Sequence, residues 1–160
     1  MRLITLNGVK LLVYLNGMIL RYSDKSIGNR LKKGWSEVKG WIDIKGYKLF
    51  KMYNKSYRVH RIIAHTFLGF DLNDEIKQID HIDRNKLNNS LNNLRIVSHQ
   101  KNMFNKNVKG YTKSKNKYRA YINLNHQRLN IGYFNTKEEA HQAYLKEKEK
   151  YHIIIPSTLN

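Results

Sequence analysis

Hydrophobic and polar positions alternate in short runs along most of this chain, a pattern that predicts strands more often than helices. Lys10-Leu11-Leu12-Val13-Tyr14-Leu15 and Met18-Ile19-Leu20-Arg21-Tyr22 flank Asn16-Gly17. An Asn-Gly pair between apolar runs predicts a β-hairpin. A basic, glycine-punctuated connector, Ser26 to Gly40, then carries Arg30, Lys32, Lys33 and Lys39. Trp41 to Ile44, Tyr47 to Met52 and Tyr57 to His60 predict a small meander with turns at Lys45-Gly46 and Asn54-Lys55-Ser56. One of its faces is apolar and the other basic, a surface for bracing and phosphate contact. The period lengthens over Arg61 to Phe67, where Ile62, Ile63 and Phe67 fit a short helix stopped by Gly69. His65 on that helix reads as a core-edge histidine rather than a ligand.

Ile79 and Ile82 bracket Asp80-His81, which predicts a short strand that buries its apolar side and projects carboxylate and imidazole into a cleft. Asn85, Asn88, Asn89, Ser90, Asn92 and Asn93 follow. Such side chains hydrogen-bond nearby backbone and so compete with helix and sheet. Leu94, Ile96 and Val97 supply a second strand, and Ser98 is a candidate N-cap for a helix carrying His99, Asn102 and Asn105. The order is strand, long loop, strand, helix. Lys106-Asn107-Val108-Lys109-Gly110 is a basic linker and a domain boundary. Beyond it Arg119 to Leu124 alternates strictly, with Ala120, Ile122 and Leu124 inward and Arg119, Tyr121 and Asn123 outward. A turn at Asn125-His126-Gln127 returns the chain with Leu129 and Ile131 inward and Arg128 and Asn130 outward. Thr136-Lys137-Glu138-Glu139 is a capping box for a helix whose apolar stripe is Ala140, Ala143, Tyr144, the stem of Lys148 and Tyr151.

The predicted class is α+β. A small β-rich region leads into the strand-loop-strand-helix core over residues 1–105, with the core at about 57–105; residues 106–110 are the linker; residues 111–155 form a three-stranded antiparallel sheet packed on one helix. A chain of 160 residues holds one ordinary domain or two small ones. Its 30 Lys and Arg against 12 Asp and Glu give a formal net charge of +18. That surplus exceeds what solubility requires and argues for a polyanionic partner. The 11 Tyr, 5 Phe and 2 Trp are interleaved with cations, as in Lys117-Tyr118-Arg119, and add stacking capacity. Cysteine is absent, which excludes disulfides and thiolate zinc cages. No apolar run is long enough to span a membrane, and the N-terminus lacks a secretory apolar region, so the expectation is a soluble, intracellular protein without membrane partners.

The Asp80-His81-Ile82-Asp83 run, the asparagine-rich loop and Asn93-Leu94-Arg95 resemble the ββα-metal motif of the HNH nucleases, in particular the homing-endonuclease branch. The likeness covers roughly residues 57 to 105 and includes Val59-His60-Arg61-Ile62-Ile63-Ala64 and Phe67, similar to that family's entry helix. It implies a DNA endonuclease with His81 as general base, Asn93 bracing the loop, and Asp80 and Asn102 as metal ligands. Arg61 and Arg95 are implied DNA contacts. The final motif position is Asn102 rather than His, and amide and carboxylate oxygens suit Mg²⁺ or Mn²⁺ better than a softer metal such as zinc. His99, one turn before Asn102, is either an auxiliary ligand or a helix-surface histidine.

Residues Lys117 to Ile122, Leu129 to Thr136, and Glu138-Glu139-Ala140 with Ala143-Tyr144 resemble the Apetala-two, or ethylene-response-factor, DNA-binding domain, without its tryptophan pattern. The resemblance implies that Arg119, Tyr121, Asn123, Arg128 and Asn130 enter the major groove of double-stranded DNA, with Lys113, Lys115 and Lys117 on phosphates. The expected function is a metal-dependent, site-specific endonuclease, free-standing or carried by an intron or other mobile element, acting as a monomer or weak dimer. Two alternatives stand beside it: a sequence-specific DNA-binding regulator with a silent nuclease fold, and a basic RNA-associated structural protein.

Overall fold

The computed structural model describes residues 1–24, 33–125 and 127–151. Arg30 and Lys32 of the basic connector, His126 of the expected turn and residues 152–155 of the expected C-terminal domain lie outside the described residues. The architecture is mixed α+β, with several small antiparallel sheets. It packs as two compact units, Met1–His99 and Gln100–Asn160.

In the first unit, β1 (Arg2–Leu6), β2 (Val9–Val13), β3 (Ile19–Ser23) and β4 (Gly34–Glu37) form one sheet in chain order. Strands were expected only from Lys10 onward, and Ser26 to Gly40 only as a connector, whereas β1 precedes Lys10 and β4 lies inside the connector, its residues paired with β3. The missed hairpin closes at Asn7-Gly8, where Leu6 pairs with Val9 and φ is 49° at Asn7 and 77° at Gly8. Two successive positive φ values are what a two-residue primed turn requires, and Asn-Gly meets that need at little steric cost. The expected hairpin between β2 and β3 is present, with a longer loop. Tyr14 N–H donates to Met18 O at 2.9 Å and Gly17 N–H to Tyr14 O at 3.1 Å, so three residues lie in the loop.

β5 (Trp41–Ile42), β6 (Lys48–Met52) and β7 (Lys55–Arg58) make the meander. Its second turn falls at Tyr53-Asn54, ahead of the expected position, since Met52 pairs directly with Lys55. Helix α1 (Val59–Leu68) begins two residues before the expected start and ends at Gly69, whose left-handed φ of 69° lets its N–H reach Ala64 O. Ile62, Ile63 and Ala64 on α1 are buried with Leu11 and Val13 of β2 and Phe50 and Met52 of β6. Burying each such Ile, Leu or Phe side chain contributes about 1.5–3 kcal/mol. β8 (Lys77–His81) and β9 (Leu94–Ser98) pair against this core through Ile79 and Leu94, and α2 (His99–Asn105) follows β9 directly.

In the second unit, β10 (Tyr111–Ser114), β11 (Lys117–Leu124) and β12 (Gln127–Phe134) form an antiparallel sheet packed on α3 (Lys137–Tyr151). The capping box is reciprocal: Glu139 N–H donates to Thr136 Oγ1 at 3.2 Å, and Thr136 N–H donates to Glu139 Oε2 at 3.3 Å. Ala120 and Ile122 are buried as the alternation requires, but Leu129, expected inward, is 40% exposed and Tyr151 is also exposed. Leu129 keeps the inward face, opposite buried Ile122, so its exposure reflects missing cover and not a change of alternation; a bulge lies beyond it. Ala120 pairs with Gly132 and Tyr121 with Asn130, which leaves Ile131 as the extra residue and shifts the strand beyond it. The division between the units falls within α2, ahead of the linker expected at 106–110. Its cause is Phe104, which is buried with Ile122 and Tyr144.

Candidate active site

The β8–β9 ladder places Asp80 opposite Arg95 and His81 opposite Leu94. Asp80, expected with His81 to project into a cleft, is 5% exposed, and His81 is 4% exposed. A buried charge needs a partner. Arg95 provides one, donating Nε at 2.8 Å and a terminal nitrogen at 2.7 Å to Asp80 Oδ2. The His81 Nε2–H donates to Asn89 Oδ1 at 3.2 Å. Ile79 is buried as expected, whereas Ile82 is 46% exposed. The strand ends at His81, and Ile82 N–H turns to donate to Asn93 O.

The loop between these strands is a relay of side-chain turns. Asp83 Oδ1 accepts from Asn85 N–H, Asn85 Oδ1 from Leu87 N–H, and Asn88 Oδ1 from Ser90 N–H. Each is a local bond of the kind Asp and Asn make two residues ahead. Asn93, also buried, closes the relay: its amide nitrogen donates to Asp83 Oδ1 and Asn88 O, both at 2.8 Å, while its oxygen accepts from Asp83 N–H at 2.9 Å. Hydrogen bonds from Asn88, Asn85 and Asn93 hold the Asp83 carboxyl below its ordinary range. The loop is also pinned from outside, since Leu91 N–H donates to Leu15 O at 2.7 Å in the β2–β3 turn.

Around His81 lie groups that sequence reasoning did not place there. His60 of α1 meets it edge to face, ring centroids 5.0 Å apart, and Tyr47 lies 4.9 Å from His60 and 6.1 Å from His81. Arg58 and Lys86 approach the Tyr47 ring at 4.7 and 4.8 Å. Burial first, then the charges of His81, Arg58 and Arg61, lower the His60 pKa to about 3. Its Nδ1 is buried with no hydrogen-bond partner among the described residues. The signal that could have found this group is the His60-Arg61 pair at the start of the entry helix.

Residues 57–104 match the HNH endonuclease family. An uncharacterised HNH endonuclease of Acanthamoeba polyphaga mimivirus is 39% identical over 92 residues, which are 54% of this chain and 49% of that protein. The chain thus spans about half the length of this curated relative. A solved structure described as DNA binding and cleavage by the HNH homing endonuclease I-HmuI is 27% identical, covers 66% of this chain and 57% of its own, and has a TM-score of 0.46.

The matched segment contains Asp80, His81, Asn93 and Arg95 in one neighbourhood, while Asn102 stands on α2, half-buried. His99 is exposed, its Nδ1 3.1 Å from Gln78 Nε2. Arg61 spends its guanidinium on Leu72 O at 2.8 Å and Asp74 O at 3.3 Å and lies over the Phe70 ring, so its present contacts are within the fold. No three His, Cys, Asp or Glu residues cluster as cation ligands among the described residues. The donor set nevertheless fits a hard divalent cation in kind: one buried carboxylate, with an amide oxygen as its expected second ligand and oxygens from outside the chain completing the shell.

The C-terminal sheet gathers the second set of candidates. Arg119, Tyr121 and Asn123 of β11 pair across the ladder with Tyr133, Asn130 and Arg128 of β12, which puts all five expected base contacts on one face. They are tied together: Arg119 Nε donates to Asn130 Oδ1 at 2.9 Å, and Arg128 lies 4.2 Å from the Tyr121 ring centroid. Lys117 shares this face by alternation and Lys115 is in the preceding turn at φ 52°. Lys113 does not share it; its partner is Tyr118, on the other side of the pleat.

Proposed function

We propose that this protein is a metal-dependent, site-specific DNA endonuclease of the HNH homing type. The observation that carries the reading is the coincidence of the HNH-matched segment with a buried Asp80-His81 pair beside an asparagine-braced loop. His81 is the general base for a water attacking the scissile phosphodiester, imidazole being the side chain suited to proton exchange near neutral pH. Asp80 would hold a divalent cation, Mg²⁺ or Mn²⁺, with Asn102 the second ligand that the family resemblance implies, and the cation when bound would supply positive charge against the phosphate and the leaving 3′-oxygen. Asn93 keeps the loop, and through Asn89 the base, in place. One such site cuts one strand per encounter, so a monomer nicks and a double-strand break takes a second encounter or a weak dimer.

The outer face of the C-terminal sheet, similar to that of the Apetala-two domains, anchors the enzyme on its site. Arg pairs bidentately with guanine and Asn with adenine, so Arg119, Arg128, Asn123 and Asn130 have the chemistry for readout, and Lys115 and Lys117 beside them grip phosphates. Cleavage of supercoiled, AT-rich plasmid with Mg²⁺ or Mn²⁺ tests the reading. Nicking that needs metal and is lost in His81→Ala, with DNA affinity retained, is the expected result. Arg119→Ala is expected to weaken site preference and leave hydrolysis intact. Retarded but uncut DNA across a target library instead favours the regulator with a silent nuclease fold.

A further inference from the structure

Arg95 occupies the carboxylate that the nuclease reading assigns to the metal. Both of its contacts, Nε at 2.8 Å and a terminal nitrogen at 2.7 Å, converge on the same oxygen of Asp80, and the pair is built into the ladder because the two residues are direct cross-strand partners. A nearly buried carboxylate and a guanidinium held in this way form a charge-assisted pair that neutralises Asp80 without any cation. A divalent cation arriving at Asp80 meets that positive charge within a few ångströms, where like charges repel strongly in a partly buried site. Anionic phosphate brought by DNA offsets both positive charges at once.

From this we infer that Arg95 is an internal counter-ion that makes metal loading at Asp80 depend on bound DNA. In the free protein Arg95 satisfies Asp80 and keeps cation affinity low; on DNA, its guanidinium shares or exchanges the carboxylate for a phosphate oxygen and the cation enters. Arg95 is thereby a positioning residue with two alternating anionic partners. The inference rests on the nuclease reading and deepens it, turning one of the expected DNA contacts into the element that couples substrate to metal.

Calorimetric titration with Mn²⁺ alone, and with Mn²⁺ in the presence of a short AT-rich duplex, reads the coupling directly. The His81→Ala background keeps the duplex intact, and Asp80→Asn gives the Mn²⁺ taken up by the DNA itself. The expected result is Mn²⁺ binding at least about tenfold tighter with DNA than without it, and, in Arg95→Gln, binding without DNA at least about tenfold tighter than in the parent, with the DNA effect reduced. Arg95→Lys, which keeps the charge, is expected to retain weak DNA-free binding. Equal Mn²⁺ affinity with and without DNA in the parent overturns the inference whatever the variants do, as does Arg95→Gln binding Mn²⁺ no tighter than the parent. If either occurs while the unmodified protein still nicks plasmid, the inference alone fails. Absence of both nicking and Asp80-dependent Mn²⁺ binding removes the nuclease reading and the inference together.

Discussion

At the scale of single residues, His60 is the most constrained group near the candidate site. It is buried, its Nδ1 has no partner among the described residues, and its pKa is pushed down to about 3. The unfolded chain restores a value near 6.5, so below that pH the unfolded state takes up a proton that the folded state refuses. Stability linked to His60 is therefore complete above pH 6.5 and falls as pH drops towards 3, by roughly 1.4 kcal/mol per unit. Between pH 7 and 5, above the carboxylate range, the loss comes to about 2 kcal/mol. Denaturant unfolding at the two pH values is expected to show that loss in the parent and a smaller one in His60→Gln. An identical pH slope in both proteins contradicts a neutral, buried His60.

At the scale of elements, two glycines join pieces that local propensity does not connect. Gly17, at φ 90°, has the backbone and Cβ of Asn89 at 3.0 Å from where its own Cβ would be. Because Asn89 receives the His81 N–H, Gly17→Ala is expected both to destabilise the first unit, by about 1–3 kcal/mol from overpacking and φ strain, and to lower nicking more than DNA binding. Thermal unfolding alongside separate cleavage and retardation assays checks this; unchanged cleavage in the folded variant shows that the β2–β3 turn does not steer the base. Gly110, at φ 71°, faces the Tyr144 ring, whose Cγ would lie 2.0 Å from an added Cβ. Gly110→Ala is expected to loosen α3 from the sheet, lowering the melting temperature of the second unit and raising hydrogen exchange in Ala140 and Tyr144. Protection equal to that of the parent would show that the ring can move aside.

At the scale of the whole molecule, the net charge of +18 sets how the protein meets a polyanion. If six to ten phosphates are neutralised, DNA affinity is expected to fall by about 10³–10⁵ between 50 and 200 mM salt. Retardation assays over that range measure the slope, and a flat response contradicts a phosphate-dominated interface. The outer face of the C-terminal sheet and the positive ring of Arg58, Lys86 and Tyr47 are the two groupings of cation and aromatic that such an interface can use.

Local rules account for much of this protein. The capping box at Thr136, the helix stop at Gly69 and the Asx relay after Asp83 are all decided within a few residues, and each is legible where it stands. Strict alternation likewise sufficed to bring Arg119, Tyr121, Asn123, Arg128 and Asn130 to one face. The sequence by itself thus determined the α+β class, the strand, loop, strand, helix order around the Asp80-His81 run and the basic character of the chain, but not strands β1 and β4, the latter lying inside the expected connector. It left undecided what depends on distant partners. A bulge at Ile131 cannot be read from alternation, nor can the exposure of Leu129, which faces inward opposite Ile122 yet is left partly uncovered. Phe104 falls within the first domain by sequence, and Ile122 and Tyr144 bury it in the second unit. Only the tertiary structure put His60 and Tyr47 against His81, Leu15 against the Asn loop, and the Arg95 fork on Asp80. Periodicity specifies which way a side chain points, whereas burial, charge pairing and pKa follow from what the rest of the chain places in front of it.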